Sequence, residues 1–120
     1  MKILGTEVDF SFTNGDDIKK FEDNYEKTVE DLEKASKLEK LSEMYNETCN
    51  VIDTFIDNVF GEGTAKTIFK NKDFLDRVQA FKEIAEEKNK KAIELEEKLK
   101  SFKKAVEVAD NVYSIDRTQR

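Results

Sequence analysis

The sequence predicts a mainly α-helical protein, an open bundle of three to four helices carrying a short N-terminal β-hairpin. Apolar residues recur at three- and four-residue steps along most of the chain, while only the first twelve residues alternate with a period of two. Helix breakers are scarce: proline is absent and glycine occurs only at Gly5, Gly15, Gly61 and Gly63, so few boundaries are written into the chain. With 120 residues, 38% of them apolar and 40% charged, the chain is expected to build one thin core under thickly solvated helix faces.

The opening segment sets Val8, Phe10 and Phe12 on one side and Glu7, Asp9 and Ser11 on the other. Residues 2–4 and 7–12 are therefore read as a hairpin (2–12) turning at Gly5-Thr6, and two strands alone need a helix or a second copy to cover their apolar face. Thr13-Asn14-Gly15-Asp16-Asp17 carries helix-start chemistry, a side-chain oxygen for the first free amides and acids for the positive end of the dipole. Ile18, Phe21, Tyr25, Val29 and Leu32 then form one stripe. After a weak stretch at Ser36-Lys37, Leu38 to Phe60 continues with a wider apolar face, which leaves one kinked helix or two helices open and puts the core in residues 51–60. Gly61 and Gly63 end that segment, and Thr64 is expected to cap a short helix through Phe69. Phe74, Val78, Phe81, Ala85, Ala92, Leu95, Leu99, Phe102 and Val106 mark a last, long helix, interrupted at Lys88. The pattern fades after 109, so the expected organisation is a single domain over 1–109 and a flexible tail over 110–120.

Chemistry is sparse. Histidine is absent, which removes the commonest general base, the usual partner of a Ser or Cys nucleophile and the most frequent zinc ligand together. Cys49, the single cysteine, sits at a helical position and reads as a buried structural thiol in a reduced compartment. With 27 carboxylates, acidic pairs arise by chance; Asp9 to Asp17 lacks the spacing of a calcium loop, and Asp53 and Asp57 lie one turn apart on a mostly apolar helix. Gly61 to Thr67 gathers glycines, a lysine and a threonine without the spacing of a phosphate loop. The phenylalanines are spaced for burial and not interleaved with arginines. No catalytic residue, metal ligand or cofactor is assigned, and the expectation is a non-enzymatic protein. No run approaches a membrane span, and a cytoplasmic location is expected.

Residues 1–60 carry 15 acidic against 7 basic side chains, and residues 61–120 carry 12 against 14. The acidic first half disfavours direct nucleic-acid binding and suits a basic or mixed-charge protein partner.

Two stretches carry a family resemblance. Phe55-Ile56-Asp57-Asn58-Val59-Phe60-Gly61-Glu62-Gly63-Thr64 through Ile68-Phe69, and the ending Tyr113-Ser114-Ile115-Asp116-Arg117-Thr118-Gln119-Arg120, resemble the F-G-E-G-T and Y-S-P-N-R-x-Q-R patterns of an uncharacterised family from phages and prophages of Gram-positive bacteria, whose members look like tail assembly chaperones. Ile115 and Asp116 depart from the P-N of that pattern. The resemblance implies a protein of the bacterial host cytoplasm that coats the helical tape measure protein until tube subunits replace it. On that reading Phe55, Val59, Phe60, Gly61, Gly63, Ile68 and Phe69 are structural or interaction anchors, and Phe10 and Phe12 are candidates for contacts in a homo-oligomer. The alternative is an acidic phage-encoded inhibitor of a host nucleic-acid-binding defence protein. A dimeric coiled-coil scaffold ranks below both, because it needs sustained a/d heptads and the irregular three- and four-residue steps do not supply them cleanly.

Overall fold

The computed structural model describes the backbone of residues 1–118 and the side chains of residues 1–110. The order is β1 (Lys2–Ile3), β2 (Thr6–Glu7), α1 (Gly15–Ser36), α2 (Leu41–Phe60), α3 (Thr64–Ile68) and α4 (Phe74–Thr118). The protein is thus mainly helical with a short antiparallel hairpin, as the sequence predicts. It divides into two compact units, Met1–Lys88 and Asn89–Arg120, so the boundary falls between Lys88 and Asn89 and not after residue 109. The loss of helical pattern expected from 110 is also corrected: the backbone of α4 stays helical to Thr118, while Gln119 and Arg120 lie outside the described residues.

In the first unit the hairpin pairs Lys2 with Glu7 and Ile3 with Thr6. Its two-residue turn is Leu4-Gly5, with φ of 48° and 80°, one residue earlier than the sequence suggests. A left-handed leucine is costly, and the Leu4 amide offsets this by donating to Glu83 Oε1 at 3.0 Å. Strand pairing stops at Glu7. Residues 8–12 keep the predicted alternation, with Val8, Phe10 and Phe12 buried between exposed Asp9 and Ser11, but they pack in the helical core and extend no sheet.

Helix α1 is capped by Asn14, whose Oδ1 accepts the amides of Asp16 and Asp17 at 3.0 and 3.1 Å. Removing that acceptor in Asn14→Ala is expected to cost about 1 kcal/mol, read as a lower urea midpoint with an unchanged slope. The weak stretch after Ser36 is a true break. Lys37 to Lys40 joins two helices, and α2 runs back along α1, with Phe55 against Phe21 and the Asn58 amide donating to Asn24 across the pair. Thr28 is buried on α1 because its hydroxyl donates to the Asn24 carbonyl at 2.6 Å, closing its polar group onto its own helix.

The core joins Ile3, Phe10, Phe12 and Phe21 to Ile52, Phe55, Ile56 and Val59 of α2, Ile68 and Phe69 near α3, and Ala80 and Ile84 of α4. Residues 51–60 thus supply its centre, as expected. The face that α4 buries is only partly the predicted row, of which Phe81 packs against the core. Arg77, Ala80 and Ile84 are inside, while Val78 of the row remains 43% exposed.

Candidate functional site

The residues singled out from the sequence come together, but inside the first unit. Phe60, Phe10, Phe12, Phe21 and Phe55 form a continuous series of edge-on aromatic contacts with centroid separations of 4.7, 4.9, 5.2 and 5.8 Å, and Phe55 continues to Phe81 at 5.7 Å. Phe55, Val59, Ile68 and Phe69 are buried, and Phe60 is half-buried against Phe10. They are structural anchors. Phe10 and Phe12, suggested as contacts between copies, are 6% and 8% exposed and already packed on Phe60 and Phe21, so in this structure they are not available for self-association.

The glycine stretch serves the backbone. Gly63 takes the left-handed conformation, φ 86°, to open α3. Thr64 does not cap that helix; the Asp57 carboxylate reaches over from α2 and accepts the Ala65 amide at 2.8 Å. Asp53, one turn earlier, has a different partner. Its two carboxylate oxygens accept from Arg77 Nε and Nη2, both at 3.0 Å, so the two aspartates hold separate parts of the fold and do not converge. Arg77 is 3% exposed. It also donates to the Asn71 carbonyl and lies over the Phe69 ring at 4.0 Å. Nothing in the sequence reading singled it out, and an Asp–Arg pair 24 residues apart leaves no periodic signal.

Cys49 is fully buried, and burial pushes its thiol pKa above the ordinary value, only partly countered by the nearby Arg77 charge. A thiol held neutral in this way is a poor nucleophile. Between α1 and α2 lies an open groove of about 220 Å³ lined by residues such as Asn24, Asp31, Asn50, Phe55 and Asn58. Among the described residues, no group of three or more His, Cys, Asp and Glu is placed to hold a metal, and no helix is long and apolar enough to cross a membrane.

The exposed apolar side chains include two groups. In the first unit, Tyr45 of α2 stacks on Phe74 of α4 with centroids 4.6 Å apart; Leu41 lies one turn before Tyr45 on α2, and Val78 one turn after Phe74 on α4. Leu41 is 61% exposed and Leu75, beside Phe74, is 71% exposed. Glu39, Glu43, Asp73 and Asp76 stand next to these residues in sequence and are exposed. In the second unit, Leu95, Leu99, Phe102 and Val106 are 43–64% exposed along one line of the helix. Counted on that helix, their steps of four, three and four residues are regular, which corrects the irregularity read from the whole chain.

A family model described as "Family of unknown function (DUF6673)" matches residues 4–120, and the chain belongs to that family. No curated protein matches the chain. No solved structure matches it either.

Proposed function

We propose that this chain is a non-enzymatic binding protein that covers an amphipathic helical segment of another protein, in the role of a phage tail assembly chaperone for the tape measure protein. The observation that supports this reading is the pair of aliphatic side chains that the first unit leaves open next to the Tyr45–Phe74 stack in sequence, Leu41 one helical turn before Tyr45 and 61% exposed, and Leu75 directly after Phe74 and 71% exposed. Rigid aromatic contacts framed by open aliphatic side chains suit a helix laid with its apolar face down. The exposed charges next to these residues in sequence are mixed, with Lys40 and Lys72 among Glu39, Glu43, Asp73 and Asp76, and suit a segment that is itself mixed in charge.

The test is light scattering and calorimetry of the full chain with a soluble helical fragment of the cognate tape measure protein at low and high salt. A multi-copy complex that survives high salt is expected, and Leu41→Asp with Leu75→Asp should weaken it at least about tenfold. Both residues are so exposed that the thermal unfolding of the protein should hardly move. If no complex forms, the chaperone reading falls. Salt-sensitive one-to-one binding to a host nucleic-acid-binding protein would instead favour the acidic inhibitor.

A further inference from the structure

The exposed row of the second unit has a register as well as a period. Ala92 and Ala109 extend Leu95, Leu99, Phe102 and Val106 by three residues at each end. Together they occupy the a positions (Ala92, Leu99, Val106) and d positions (Leu95, Phe102, Ala109) of a heptad repeat along a helix. A strict alternation of three and four is the spacing that winds one helix around another in a coiled coil. Ile93 and Val108 fall outside this seam.

The charges beside the seam select what covers it. Glu96 and Lys103 take the e positions, and Lys91 and Lys98 take the g positions. Consider two copies running antiparallel with Leu99 facing Phe102 of the second copy. Leu95 then faces Val106 and Ala92 faces Ala109, so every seam residue meets an apolar counterpart. Glu96 comes beside Lys103 of the second copy, and symmetry repeats that pair. Lys98 faces Ala105, and no like charges meet across the seam.

The neighbouring arrangements are worse. A shift of one heptad in one direction sets Glu96 against its own counterpart, and a shift in the other sets Lys103 against its own. A parallel pair gains Lys91 against Glu96 but places Lys98 against Lys103, again twice. Glu96 has a competing partner in Lys100 on its own helix at 3.8 Å, but both side chains are at least 70% exposed, so that pair gives way easily.

We infer that residues 92–109 of α4 form an antiparallel coiled coil with the same residues of a second copy of this chain, held in register by Glu96 and Lys103. The inference does not depend on the chaperone reading, which uses the apolar patch of the first unit. The seam is short, about 27 Å at 1.5 Å per residue. The dimer is accordingly weak and concentration-dependent, with a dissociation constant on the order of micromolar.

Sedimentation equilibrium of the full chain from low-micromolar to near-millimolar concentration tests this, with Glu96→Lys, Lys103→Glu and the double exchange. The wild type is expected to pass from monomer to dimer. Each single variant turns two attractive pairs into two repulsive ones and should dissociate about tenfold more readily, while the double exchange should return to within about threefold of wild type. Lys103→Glu is the discriminating variant, because in a parallel pair it would place a glutamate against Lys98 and strengthen the dimer. Strengthening by Lys103→Glu, a wild type that stays monomeric throughout, or single variants without effect would each overturn the proposal. The seam would then be open to a different helix. Loss of the dimer alongside intact binding of the tape measure fragment would separate this failure from that of the chaperone reading.

Discussion

Phe55→Ala is expected to lower the unfolding free energy by about 4 kcal/mol, measured by urea denaturation with helical circular dichroism as the signal. The ring is 1% exposed and meets Phe21 on α1 and Phe81 on α4, so it stands where three helices converge. Truncation removes the transfer energy of the ring and leaves a space bounded by other rigid rings, which collapse into it poorly. Total stabilities of small proteins are about 5–15 kcal/mol, so this one change puts much of the fold at risk. Leu75→Ala is the matched control. That side chain is 71% exposed, and its loss should stay within about 0.5 kcal/mol. Equal effects of the two substitutions would mean that the core is not centred on α2.

Arg77→Ala should cost about 3 kcal/mol by the same measurement, although arginine is an ordinary surface residue elsewhere. The loss has several parts. Asp53, 30% exposed, keeps its charge and loses both of its hydrogen bonds, the Asn71 carbonyl loses a donor, and the Phe69 ring loses the planar group that covers it. Arg77→Lys should recover only part of this, since an ammonium neither forks onto a carboxylate nor stacks on a ring. The change that separates charge from packing is Asp53→Asn with Arg77→Met. Once neither partner is ionised, the double variant should be more stable than Arg77→Ala by about 1 kcal/mol or more. If the double variant is the less stable of the two, the attraction between the charges outweighs their desolvation.

These two residues mark what was legible in the sequence and what was not. Phe55 sits in the densest helical stripe, and period alone predicts its burial. The Asn14 cap and the burial of Cys49 are legible for the same reason, because local spacing and side-chain chemistry determine them. The partnership of Arg77 depends on which helices meet, which no local window contains. The long helix misleads in a more instructive way. The most apolar row of α4 is Phe74 to Val106, and a rule that buries the most apolar face selects it. The first unit takes only Phe81 of that row onto its core and fully buries Arg77, Ala80 and Ile84 beside it, because small Ala80 admits close packing and Arg77 has Asp53 to receive it. The hairpin shows the reverse case. Its turn depends on a leucine in a left-handed conformation, which propensity argues against, and the hydrogen bond to Glu83 that offsets it is non-local. Of the anchors read from the glycine stretch, Phe55, Val59, Ile68 and Phe69 are in the core while Gly61 is exposed, and the open row of the second unit lies on a helix face that the same reading took as one apolar stripe.

The bond from Leu4 to Glu83 joins residues 79 positions apart. During synthesis the N-terminal segment therefore waits for Glu83 to be made before it can lock, whereas α1 and α2, joined by a four-residue link, can pair as soon as both are complete. Closing so long a loop is entropically expensive and comes late on the folding path. Phe10 and Phe12 need not wait with it, because the rings they pack on, Phe60 and Phe21, belong to α2 and α1; the part of the chain left open longest is the hairpin turn at Leu4.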